Sequence, residues 1–108
     1  LKVSRLSKRD AVLVLSVGGG RAEKNISKNK VEALKLAKKV KAKIFGIVSK
    51  NGGYTKKVAD VCVLIPVVNP LLVTPIAESL QAVIWHAIVF HPTLKIQEGR
   101  WEKEALKK

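Results

Sequence analysis

Three short apolar runs constrain this chain more than any other feature: "AVLVLSV" at 11–17, "KIFGIVS" at 43–49 and "VCVLIP" at 61–66. None alternates apolar with polar residues as a half-solvated strand would. Continuous runs of this length, rich in β-branched residues, read as strands buried on both faces, the habit of parallel sheets. What lies between them has a different period. After the first run, "KVEALKLAKKV" places Val31, Leu34, Ala37 and Val40 at helical spacing with lysines on the opposite side. Asn29 stands where a side-chain N-cap would, and Glu32 three residues later completes a capping signal. After the second run, "KNGG" turns the chain and residues 54–59 form a short helix. Pro66 closes the third strand. Thr74 as N-cap and Pro75 at the first helical position then open a last helix that runs to about Phe90, with Pro92 stopping it. Strands alternating with helices imply right-handed crossovers and a parallel sheet covered by helices, an α/β three-layer sandwich.

The last helix is apolar on nearly every side, with Ile76, Ala77, Leu80, Val83, Ile84, Ala87 and Ile88 spread around it. A helix of that kind is buried on two sides. In so small a domain one side meets the sheet, and the other meets a partner chain or a segment absent here. The expectation is a homo-oligomer, dimer or tetramer, through the 74–90 helix. The 108 residues suffice for one domain. Residues 1–91 form it and 92–108 are a basic tail. Residues 1–9 read as the end of a helix whose start is missing. The chain contains no methionine and begins at Leu1, so it reads as the C-terminal part of a longer protein.

Twenty-one Lys and Arg against eight Asp and Glu give a charge of +13. Such a field attracts anions: phosphorylated small molecules, nucleic acid or an anionic membrane surface. Nucleic acid is disfavoured, because the few aromatics do not interleave with the basic residues and no recognition motif is present. No apolar run approaches the ~20 residues that span a bilayer, and no leader pattern opens the sequence. The single Cys62 sits in an apolar run and reads as a buried thiol. A cytoplasmic protein without a membrane partner is expected.

The sequence at the first strand's end, "LSVGGGRAEKNISKN", can be read two ways. Glycines let backbone N–H groups approach a phosphate, and a helix N-terminus with Ser16, Ser27, Arg21, Lys24 and Lys28 nearby would favour one. The same glycines could form a plain flexible turn. The spacing matches neither of the familiar nucleotide-binding glycine patterns.

The segments "DAVLVLSVGGG", "NKVEALKLAKKVKAKIFGIVSKNGGYTKKVADVCVLIPV" and "TPIAESLQAVIWH" together resemble the second half of a sugar isomerase (SIS) domain, and most nearly its phosphoheptose isomerase-like branch. The resemblance covers about residues 10–91. It implies a sandwich around a five-stranded parallel sheet of flavodoxin-like topology, with the N-terminal part of the domain absent from this chain. It implies phosphosugar binding and an aldose–ketose sugar-phosphate isomerase of the sedoheptulose 7-phosphate kind. A non-catalytic phosphosugar-sensing module is the alternative, and a basic nucleic-acid binder a weaker one. In the family a serine-rich loop holds the phosphate. Ser16 matches its first serine and Gly19 its glycine, Val17 and Gly18 replace two hydroxyl residues, and Ser27 stands for a later serine. Substrate phosphate is thereby assigned to Ser16, Gly18, Gly19, Gly20 and Ser27. The branch carries on its last helix a polar residue and, eight positions on, a histidine. Glu78 and His86 have that spacing, with Glu78 in place of the usual glutamine. The resemblance makes them the catalytic acid/base pair and candidate zinc ligands.

Overall fold

The computed structural model describes residues 3–21, 23, 24 and 27–107. Seven elements follow in order: β1 Ala11–Leu15, α1 Lys28–Lys39, β2 Lys43–Ser49, α2 Gly53–Val58, β3 Val61–Ile65, α3 Val73–Val89 and α4 Arg100–Leu106. The strands form one parallel sheet in the order β1-β2-β3, with Val14 opposite Gly46 and Gly46 opposite Cys62. Both crossovers step in the same direction across the sheet. Right-handedness therefore sends α1 and α2 to one face, and α3, which follows the last strand, covers the other. The fold is α/β, a small open sandwich, as the sequence implies.

On the α1/α2 face, Val14, Leu34, Ala37, Ala42 and Ile44 make the core, with Leu6, Val12, Val40, Tyr54 and Val58 packed around them. Gly46 lets α2 lie close to the sheet. A Cβ there would stand 2.6 Å from the Thr55 methyl. Asp60 fixes the start of β2 by accepting the Ile44 N–H at 2.8 Å.

The other face differs from expectation. Leu13 and Leu15 keep 48% and 42% of their surface exposed, and Phe45, Val61 and Val63 are exposed too. The strands are therefore not all buried on both faces. A single helix cannot cover three strands, and α3 reaches mainly β2, where Ile47 and Ser49 are buried. The radius of gyration is 16.1 Å, against about 13 Å for a compact chain of this length. Every residue of α4 is exposed.

Helix starts shift by a residue or two. α1 begins at Lys28 with Ser27 at its cap in left-handed conformation, and Asn29 accepts only its neighbour Lys30's N–H. Glu32 pairs with Lys35 at 3.4 Å instead of closing a capping box. α3 begins at Val73 with Leu72 at the cap, so Pro75 falls within the first turn, where a missing N–H costs no bond. The expected helix at residues 1–9 is absent from its described part, 3–9. There a turn closes with Ser7 N–H on Asp10 Oδ2 at 2.8 Å; residues 1 and 2 lie outside the described residues. The basic tail at 92–108 carries α4.

Candidate functional site

Ser16 lies one residue past β1, at the C-terminal edge of the sheet, and is 6% exposed. Its Oγ accepts two hydrogen bonds, from Gly19 N–H at 3.1 Å and from Lys30 Nζ at 3.3 Å. Lys30 belongs to the first turn of α1 and is half-buried. Among the described residues its ammonium has no carboxylate partner. A half-buried cation of this kind, beside a hydroxyl and at a helix start, is a place for an anion. Ser27 caps the same helix, its carbonyl accepting the N–H groups of Lys30 and Val31 at 3.0 and 3.2 Å.

Gly18, Gly19 and Gly20 meet a second glycine turn, Gly52 and Gly53, at the end of β2. A Cβ on Gly19 would lie 1.8 Å from the Gly52 carbonyl oxygen. One on Gly53 would lie 2.3 Å from that of Gly18 and 2.4 Å from that of Gly20. Across this seam Gly20 O accepts Tyr54 N–H at 2.8 Å, and Gly19 O accepts Thr55 N–H at 3.0 Å and Thr55 Oγ1–H at 2.8 Å. The glycine carbonyls thus saturate the start of α2, and Gly19 N–H is engaged by Ser16. The run works as a backbone-to-backbone joint between two strand ends.

Gln81 completes the joint from the other face. It is 6% exposed on α3, and its Nε2 donates to Ser16 O at 3.0 Å and Ile47 O at 2.8 Å. It clamps α3 where β1 and β2 end. Neither Lys30 nor Gln81 stands out in the sequence as a site residue. By sequence Lys30 is one more lysine among those on the polar side of α1. Gln81 had a visible signal: a lone amide four residues after buried Ala77 in an apolar stretch.

Glu78 and His86 are exposed on α3. Eight residues separate them by about 12 Å along the axis. His86 Nδ1 donates to the Ala82 carbonyl at 2.6 Å, which leaves Nε2 as the basic nitrogen, and the ring stacks on Trp85 with centroids 3.6 Å apart. A zinc site needs at least three protein donors. The described residues hold no group of three His, Cys, Asp or Glu able to bind an ion, so Glu78 and His86 do not by themselves fit zinc.

Beyond the ends of β1 and β2 lies a cleft of about 580 Å³. Gly20, Arg21, Glu23 and Lys24 form one wall, and Asn51, Gly53, Tyr54, Lys56 and Lys57 form the other. Of the residues assigned to phosphate, only Gly20 lines it; neither Glu78 nor His86 does. Partial burial pushes the Cys62 thiol above the 9.0 of an ordinary thiol, and the Lys56 charge partly offsets this. No helix among the described residues is long and apolar enough to cross a membrane. The chain matches no family model, and no curated protein matches it.

Proposed function

We propose that this chain is a phosphosugar-binding, SIS-like domain that takes the phosphate of an open-chain sugar phosphate between the end of β1 and the start of α1. The observation that carries this reading is Lys30 Nζ, half-buried 3.3 Å from Ser16 Oγ with no carboxylate partner among the described residues. A dianionic phosphate would accept from both the ammonium and the hydroxyl, and Ser27 lies at the same helix start. The outer side of α3, with Leu80, Val83, Ile88 and Val89 exposed, supports assembly into a homo-oligomer. The free Nε2 of His86 favours aldose–ketose isomerisation as the activity of that assembly. An imidazole with a free ring nitrogen can take the proton from C2 and return it at C1. If the assembly leaves His86 away from the sugar, the domain senses phosphosugars without turning them over.

The test is a thermal shift with a panel of sugar phosphates at fixed ionic strength, on wild type, Ser16→Ala and Lys30→Ala. At tenfold excess over Kd a sugar phosphate should raise Tm by about 5 °C or more, and both substitutions should shrink the rise. A response no larger than that to inorganic phosphate or sulfate would refute sugar-phosphate recognition. Turnover, followed by appearance of the ketose, separates isomerase from sensor.

A further inference from the structure

We propose that the cleft lined by Gly20, Arg21, Glu23 and Lys24 on one side and α2 on the other binds a diphosphate group carried by a small molecule, apart from the Ser16–Lys30 pair. It rests on the cleft alone and stands whether or not the phosphosugar reading does. The volume of about 580 Å³ lies within the range of small-molecule sites. The position, outside the carboxyl ends of parallel strands, is where such sheets bind ligands. The lining decides the chemistry. Four cations face each other in two pairs, Arg21 and Lys24 on the loop, Lys56 and Lys57 on the helix. Glu23 approaches only Lys57, at 4.0 Å. Arg21, Lys24 and Lys56 keep no acidic partner among the described residues.

Three uncompensated cations match the about three negative charges of an esterified diphosphate near neutral pH. A single phosphate would reach one wall and leave the other unanswered. Two linked phosphates present acceptors to both, and the Arg21 guanidinium can fork onto two oxygens of one. Backbone is not the recogniser here. The first N–H groups of α2 are already bonded to Gly19, Gly20 and Gly52 carbonyls, so selectivity falls to the side chains. Asn51 accepts the Gly53 N–H on its Oδ1 at 3.1 Å, which leaves its amide NH2 to donate, and Tyr54 lines the same wall. These two are suited to the organic part of the ligand.

The test is calorimetric titration of the full chain with ADP, AMP and pyrophosphate, metal-free, at constant ionic strength. ADP and pyrophosphate should bind saturably and AMP about tenfold more weakly or worse. Joint Arg21→Gln and Lys56→Gln substitution should weaken ADP about tenfold or more, while Lys30→Ala leaves it within about twofold. ADP binding tighter than pyrophosphate identifies a nucleotide, and equal affinities identify the diphosphate end alone; both uphold the site. If circular dichroism shows the double variant misfolded, Lys24→Gln, on the exposed loop, takes its place. AMP within about twofold of ADP, no saturation by ADP or pyrophosphate, or loss of binding in Lys30→Ala instead of the cleft variants would each overturn the proposal. So would displacement of ADP by a DNA duplex with a steep salt slope, which would make the cleft a nucleic-acid contact.

Discussion

Replacing Gly19 by alanine tests whether the glycine run is a structural joint. The added Cβ would lie 1.8 Å from Gly52 O, and real Cβ contacts are essentially never closer than 3.0 Å, so the two loops must part by 1.2 Å. The three bonds across the seam, now 2.8, 3.0 and 2.8 Å, would then stretch to about 4 Å, beyond hydrogen-bond reach. Each is worth about 1 kcal/mol net, and the buried Thr55 donors left behind make that a lower bound. Holding alanine at φ +74° adds about 1 kcal/mol. The expected cost is about 4 kcal/mol, a large fraction of what a domain of this size has. Gly18→Ala is the control. Nothing stands within 4 Å of its Cβ and its φ is not positive, so stability should change by no more than about 0.5 kcal/mol. Urea unfolding followed by far-ultraviolet circular dichroism measures both, with m compared to confirm that only stability moved. If the two variants differ by less than about 1 kcal/mol, the seam does not hold the strand ends together and the reasoning fails.

Gly46→Ala forces a Cβ to 2.6 Å from the Thr55 methyl and should cost about 1–3 kcal/mol. Thr55→Ser removes that methyl while keeping the hydroxyl, so a double-mutant cycle should show coupling of about 1 kcal/mol. Gln81→Leu leaves the Ser16 and Ile47 carbonyls without their Nε2 partner and should cost about 1–3 kcal/mol in thermal unfolding; Gln81→Glu should cost more, because a carboxylate would face two carbonyl oxygens. The raised Cys62 pKa means the folded chain holds the thiol proton more tightly than the unfolded one. That stabilisation is complete below the unfolded value of 9.0 and is lost as pH climbs from there through the folded value, so the Tm advantage over Cys62→Ala should be constant below 9.0 and narrow above it until the folded thiol has ionised. Leu80→Glu with Val83→Glu, both at exposed positions, should leave the fold intact and convert an assembled species to monomer in light scattering; an unchanged mass would rule out assembly through α3.

The strand and helix order was legible because each run has its own period and its own punctuation. β2 was read to its boundaries, residues 43–49, since Lys43 and the "KNGG" turn bracket it. Coverage was not legible. An apolar run such as 11–17 looks the same whether its second face meets its own helix, another chain or water, and only the placement of α3 over β2 leaves Leu13 and Leu15 bare. The eight-residue spacing of Glu78 and His86 was equally silent on direction. Once Ala77 and Gln81 turn toward the sheet, their neighbours Glu78 and Ala82 are carried round the helix. Glu78 and His86 then both end on the exposed surface.

The glycines show why a motif read along the chain can be right about position and silent about role. A phosphate nest and a backbone joint make the same demand on sequence, which is the absence of a Cβ. They differ in where the carbonyls go. Here those of Gly19 and Gly20 go to Tyr54 and Thr55, so the decisive residues are a second glycine pair more than thirty positions away. Gly52 and Gly53 were in view as a turn, but nothing in their spacing says which loop they face. With the Gly19 and Gly20 carbonyls committed to this joint, the anion sites proposed above rest on side chains that the fold brings in from elsewhere. These are Lys30 from α1, Arg21 and Lys24 from the loop, and Lys56 from α2. All four are lysine or arginine in a chain of charge +13, and what separates them from the other basic residues is that they converge on the end of the sheet without a carboxylate partner.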